Sequence, residues 1–187
     1  MKFSLQNKKT VLTTANALAV FLFEGEKERS QAFSNLPQSL RREAESLAKN
    51  ARFTAKNKTS FVFPTHQKIF SSVVIFVGLG SADAHQNEIR DSLREASAEA
   101  RRIASTYQAK KLGIIFTDCL TDRINQKEIG QAIAEGAELG AYSFQKYKKQ
   151  DDDELHKNSV CDIVIEGSDA SLLLGAKQGS IIADGVC

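Results

Sequence analysis

The chain has 187 residues, enough to bury a full core, and its length favours one domain. With 42% hydrophobic and 26% charged residues it reads as a soluble globular protein; no apolar run nears membrane-span length and no signal-peptide block opens the chain. Net charge is only +2, yet residues 1–60 carry 11 Lys and Arg against 5 Asp and Glu, so a basic first third precedes an acidic remainder.

Lys2 to Leu5 predicts a short first strand, because Phe3 and Leu5 alternate with polar neighbours. Ala17 to Phe23 is a continuous apolar run, too short for a buried helix, and predicts a second strand. A polar connection leads to a helix from Pro37, with Leu40, Ala44, Leu47, Ala48 and Ala51 on one face and Ser34 or Asn35 as cap. Thr59 to Phe63 reads as a strand stopped by Pro64, paired as a hairpin with Val73–Val77.

Val73-Val74-Ile75-Phe76-Val77 is β-branched and aromatic, the composition of a strand buried on both faces. Gly78-Leu79-Gly80-Ser81 breaks it, and a long helix follows. Its Ile89, Leu93, Ala96, Ala100, Ile103 and Tyr107 share a side, with Glu88, Asp91, Arg94, Glu95, Arg101 and Arg102 mostly turned away. Leu112 to Phe116 is the next buried strand, and Asp118 to Asn125 a polar connection. From Gln126 a helix carries Ile129, Ala132, Ile133, Gly136, Ala137 and Gly140 inward. Gly136 and Gly140 each cost a helix about 1 kcal/mol relative to Ala, a cost that close approach of the helix to the sheet would offset. Tyr142 to Tyr147 supplies aromatic anchors, and Lys146 to Lys157 is a charged excursion. Asp162 to Ile165 is the last strand. Asp169 or Ser168 can cap a final helix with Leu172, Leu173, Ala176, Ile182, Ala183 and Val186. That helix is still apolar at Val186, which suggests a longer protein divided at a domain boundary.

Strands alternating with amphipathic helices imply a three-layer α/β/α domain with a mixed, mostly parallel sheet and right-handed crossovers.

The residues show no active site. Gly78-Leu79-Gly80 follows a strand, but a dinucleotide fingerprint needs a third Gly or Ala where Asp83 stands, and a carboxylate there repels a pyrophosphate. A tight strand-to-helix turn is the favoured reading. His66, His85 and His156 have no partner at ligand spacing. Asp151-Asp152-Asp153-Glu154 lacks the glycine and alternating ligands of a calcium loop. Cys119, Cys161 and Cys187 read as reduced thiols in a cytoplasmic protein, not as a disulfide frame or zinc site. No residue is therefore assigned a catalytic, cofactor-binding or metal-binding role. The cations Lys8, Lys9, Arg41, Arg42, Lys49, Arg52, Lys56 and Lys58 suit a solvated face better than a polyanion site.

Three segments together resemble the leucyl aminopeptidases (cytosol aminopeptidases) in their N-terminal domain: Val77-Gly78-Leu79-Gly80, the run Ala134 to Phe144 with Lys146-Tyr147-Lys148, and Gly179 to Val186. The resemblance extends from about Ala17 onward. Gln145 departs from the acidic residue usual there, and the Asp151 to Glu154 loop is particular to this chain.

The resemblance implies a macro-domain-like fold. It places residues 1–187 as a non-catalytic N-terminal domain, with the helix at about 170–187 leading toward a catalytic domain absent from this chain. The whole enzyme would be a cytoplasmic metalloexopeptidase, commonly a hexamer, that releases N-terminal residues such as leucine from peptides. Its two divalent cations, zinc or manganese, would sit in the catalytic domain, polarise the scissile carbonyl and activate a bridging water. This chain would hold no cofactor and would serve assembly, regulation or substrate access. The competing reading is a free-standing macro-like module that binds ADP-ribose or another nucleotide near Gly78 to Ser81, or DNA, which some bacterial members bind.

Overall fold

A computed structural model describes residues 1–140 and 160–186. Six strands form one sheet: β1 (Lys2–Gln6), β2 (Ala17–Leu22), β3 (Ser60–Pro64), β4 (Val73–Gly78), β5 (Lys111–Phe116) and β6 (Asp162–Glu166), in the order β1-β6-β5-β2-β4-β3. Every pairing is parallel except β3 with β4, where the hairpin sets Phe61 opposite Phe76 and Phe63 opposite Val74. The sheet is mixed and mostly parallel, as the sequence predicts.

Strand alternation sorts the core into two layers. Ala17, Ala19, Phe21, Ile75, Leu112, Ile114 and Ile163 face one side, with α4 (Gln86–Thr106), α5 (Asp118–Arg123), α6 (Gln126–Leu139) and α7 (Ala170–Val186). Leu18, Val20, Leu22, Phe76, Ile115 and Val164 face the other, with α1 (Lys8–Thr14), α2 (Glu26–Ser34) and α3 (Gln38–Asn50). Burial on both faces explains why β2 and β4 are unbroken apolar runs.

Several expectations are corrected. The connections before Ala17, before Pro37 and after Phe116 contain the helices α1, α2 and α5. Each buries only one or two large side chains, Val11, Phe33 and Leu120, too few for a periodic signal. Pro37 itself occupies the N-cap of α3, and neither Ser34 nor Asn35 caps it; both belong to the end of α2. Leu47 is exposed by 44%, so it lies off the buried face of Leu40, Ala44 and Ala48, and Ile182 of α7 is exposed by 47%. Ala51 is exposed at the C-cap of α3. Tyr107 is exposed as well, because α4 ends one residue before it. Asp169 does cap α7, accepting from the Ser171 amide at 2.8 Å, and that bond holds its carboxyl below the usual range.

The glycines of α6 and α7 mark helix-to-helix approaches, not approach to the sheet. A side chain at Gly136 would enter the Arg94 backbone of α4, and one at Gly140 would meet Ala98. Gly130 lies against the Leu172 carbonyl, and Gly175 against the Lys127 carbonyl. α6 is thus seated backbone-to-backbone between α4 and α7.

Two arginines expected to point outward instead bridge this layer. Arg94 donates from Nε to Glu135 Oε2 at 2.6 Å, and Gln131 donates to Glu135 Oε1 at 2.7 Å. Burial pulls the Arg94 value down, but Glu135 and Asp91 outweigh it and hold it above normal. Arg101 donates to the Ala137 carbonyl at 2.6 Å, satisfying an end carbonyl of α6, and burial lowers its value. Tyr142 to Tyr147, Lys146 to Lys157, Asp151 to Glu154, His156 and Cys187 lie outside the described residues.

Candidate functional site

In open α/β sheets, ligands bind beyond the carboxyl ends of the strands, where successive connections diverge to opposite faces. Here the chain leaves β2 through α2 and α3 on one face, and leaves β5 through α5 and α6 on the other to reach β6. The divergence falls between β2 and β5, at Phe23-Glu24-Gly25 and Thr117-Asp118.

The glycine turn stands one strand away, at the end of β4, and its backbone donors are committed to the fold. Gly78 N–H donates to the Thr59 carbonyl at 2.9 Å, Leu79 N–H to Leu22 at 2.9 Å, and Gly80 N–H to Ala55 at 3.1 Å. A Cβ at Gly78 would enter the carbonyls of Ala55 and Lys56, while Gly80 takes φ +79°. The two glycines thus serve a crowded crossing and a left-handed turn. α4 starts six residues beyond Gly80, so the turn does not feed a helix N-terminus. Asp83 is exposed and pairs with Arg123 at 3.1 Å.

At the divergence itself, Thr117 continues β5 in extended conformation, and its amide reaches the Phe21 carbonyl at 3.3 Å. Phe116 packs on the α4–α6 side, so alternation turns the Thr117 side chain toward α2. Thr117 is only 2% exposed, and its Oγ1 has no hydrogen-bond partner. Asp118 Oδ2 accepts from Gln31 Nε2 of α2 at 3.0 Å. One turn back on α2, Glu28 buries an Oε2 that also lacks a partner. Glu166, at the end of β6, is half-buried; burial raises its value, Lys8 opposes and Asp118 reinforces. Sequence reasoning missed this cluster, because it depends on the unpredicted helix α2.

Two open clefts lie elsewhere. One, of about 410 Å³, runs beside α4, where Lys58 pairs with Glu95 at 3.0 Å and Arg102 with Glu99 at 2.8 Å. Its charges are mutually satisfied, and the Arg102 hydrogen bond lowers the Glu99 value. The other, of about 560 Å³, lies between α2 and α3, with Arg29, Lys49 and Arg52 against Glu45 over a floor of Phe33, Ala48 and Phe53. Among the described residues no group of three or more His, Cys, Asp or Glu is placed to hold a metal ion. His66 sits in a turn at φ 51° and His85 precedes α4, apart from one another. No helix among them is long and apolar enough to cross a membrane.

Residues 19–151 match the family described as "Cytosol aminopeptidase family, N-terminal domain". A probable cytosol aminopeptidase of Sulfurihydrogenibium sp. (strain YO3AOP1) is 28% identical over 158 residues, 82% of this chain and 29% of that protein. Another, of Alkaliphilus oremlandii (strain OhILAs), is 25% identical over 193 residues, 98% of this chain and 38% of that one. The chain therefore spans about a third of these relatives' length. Among solved structures, a tomato leucine aminopeptidase mutant shares the fold over 100% of this chain and 36% of its own, with TM-score 0.71 and 17% identity. The bottromycin maturation enzyme BotP in complex with Mn does so over 93% and 30%, with TM-score 0.61 and 18% identity.

Proposed function

The chain belongs to the cytosol aminopeptidase family, whose N-terminal domain it matches, and from that premise we propose that it is the non-catalytic part of a larger exopeptidase. The observation that carries this is the match over residues 19–151, joined to its coverage of only 29% to 38% of relatives named as aminopeptidases. The larger protein releases N-terminal residues from peptides, works in the cytoplasm and assembles as a homo-oligomer, a hexamer in the commonest arrangement. Its two divalent cations, zinc or manganese, belong to the catalytic domain. The described residues of this chain do not fit such a centre: no metal-ligating group of three converges. This domain serves assembly, regulation or substrate access for that partner domain.

The test is to assay the 187-residue chain on leucine p-nitroanilide with added zinc or manganese, then the protein extended through its downstream reading frame. Activity only in the extended, metal-replete protein is expected. Silence from both counts against the peptidase reading, and turnover by the short chain places the chemistry here.

A second reading, DNA binding, is favoured by one observation: three cations of the basic first third, Arg29, Lys49 and Arg52, line one cleft between α2 and α3. Salt-sensitive retention on duplex DNA, lost in Lys49→Glu with Arg52→Glu, would support it; retention unchanged by that pair would exclude this cleft. Nucleotide binding at the glycine turn has no such support, since its amides are already bonded.

A further inference from the structure

We propose that the cleft between α2 and the C-terminal end of α3 binds a small phosphomonoester, with Arg29, Lys49 and Arg52 on its phosphate and the floor of Phe33, Ala48 and Phe53 under its apolar body. The proposal does not rest on the aminopeptidase reading, and it competes with duplex DNA for the same cleft. Its first support is the cleft itself, about 560 Å³, a volume in the range of small-ligand sites. Phe53 ties the two walls together. Its carbonyl accepts from Arg29 Nη1 of α2 at 3.0 Å, and its amide donates to the Ala48 carbonyl of α3 at 3.0 Å.

The second support is the residue that closes α3. Phe53 N–H donates to the Ala48 carbonyl and Arg52 N–H to the Lys49 carbonyl, both at 3.0 Å, the pair of bonds that ends a helix on a left-handed residue. Glycine ordinarily takes that position, and asparagine less often, because a Cβ is crowded there. Here Arg52 takes it, at φ 54°. Backbone strain of this kind gathers where a side chain has a task, and the Arg52 side chain lines the cleft.

The ligand class follows from charge left unanswered. Elsewhere Lys58, Lys68, Arg90, Arg94, Arg102 and Arg123 each pair with a carboxylate. Among the described residues Arg29, Lys49 and Arg52 form no ion pair, and Glu45, which also lines the cleft, comes within pairing distance of none of them. Three cations against one carboxylate leave an excess of positive charge that the dianion of a phosphomonoester matches. Two guanidinium forks suit phosphate oxygens, and Lys49 adds a point charge. A duplex presents single charges strung along its backbone, whereas these cations share one concavity over an apolar floor.

The test uses phenyl phosphate as probe, with phenol, inorganic phosphate and a duplex oligonucleotide as controls. Titration of the 187-residue chain at neutral pH is followed by amide NMR. Saturable shifts at residues 29–33 and 45–54 are expected with phenyl phosphate, binding about tenfold weaker with inorganic phosphate, and no shifts with phenol. Arg52→Asn should weaken phenyl phosphate binding about tenfold or more. Its urea midpoint should stay at or above wild type, because asparagine accepts the left-handed backbone. Lys49→Gln, at an exposed position, should also weaken binding and leave the midpoint unchanged. Absence of a saturable shift, equal binding of phenol or inorganic phosphate, or either variant binding as before overturns the proposal. An Arg52→Asn midpoint below wild type does so too, since Arg52 would then be holding the fold. Saturation by the duplex with no response to phenyl phosphate assigns the cleft to DNA and equally overturns it.

Discussion

Gly136 of α6 lies directly against the backbone carbonyl of Arg94 in α4, with no room for a side chain between them. Intrinsic propensity favours alanine over glycine in a helix by about 1 kcal/mol, but here the added carbon must push two helix backbones apart. Gly136→Ala should therefore destabilise the protein by about 2 kcal/mol or more. Gly185, in the last turn of α7 with open space around it, is the control; its Ala variant should be neutral or stabilised by up to about 1 kcal/mol. Urea midpoints of the two variants decide, and a Gly136→Ala midpoint at or above wild type refutes the close approach.

The inward face of α4 makes a second contrast. Ile103 is 6% exposed, so Ile103→Asp buries a charge without a partner and should cost about 3 kcal/mol or more. Arg102 is largely exposed and, among the described residues, bonds Glu99 of its own helix, so Arg102→Asp should cost about 0.5 kcal/mol, a surface pair's worth. Equal midpoints would mean the face is misassigned.

Gly78, Leu79 and Gly80 should show slow amide hydrogen exchange, because each N–H is bonded to a neighbouring element. Titration with ADP-ribose, NAD or ATP should leave those rates unchanged and release no heat characteristic of binding tighter than about millimolar. A micromolar signal with ADP-ribose, abolished by Gly80→Val, would overturn this.

Glu166 gives a pH dependence of defined sign. Burial raises its folded value above 4.5, so the native state holds more protons than the unfolded chain between the two values. The stability it contributes is greatest below the unfolded value and declines as pH rises through that window to the folded value. Glu166→Gln should remove the decline, so the variant's midpoint relative to wild type should rise with pH and then level off. A difference that stays constant from acid to neutral pH would refute the raised value.

The strands were legible in the sequence because their signal is local: Ala17–Leu22 and Val73–Gly78 are buried on both faces and can hardly be anything else. The long helices showed themselves through periodic spacing, as at Ile89, Leu93 and Ala96. α1, α2 and α5 did not, since one or two buried residues make no period. The glycines of α6 announced a close approach but not its partner, because a missing side chain says nothing about what fills its place. The Thr117 cluster was illegible for a related reason: nothing in Phe116-Thr117-Asp118 reveals that Gln31, 87 residues away, comes to meet it.

The pairing of β1 with β6, parallel from Lys2 with Asp162 to Gln6 with Glu166, sets a timetable for the chain as it leaves the ribosome. β1 is the first of the six strands to be made, yet its only strand partner among the described residues is completed roughly 160 residues later, about 10–30 s at ordinary elongation rates. Through that interval Phe3 and Leu5 have no sheet to join, while β2 to β5 can already assemble among themselves. The sheet closes at the edge strand that is made first of the six, and β1 is the strand most in need of a chaperone.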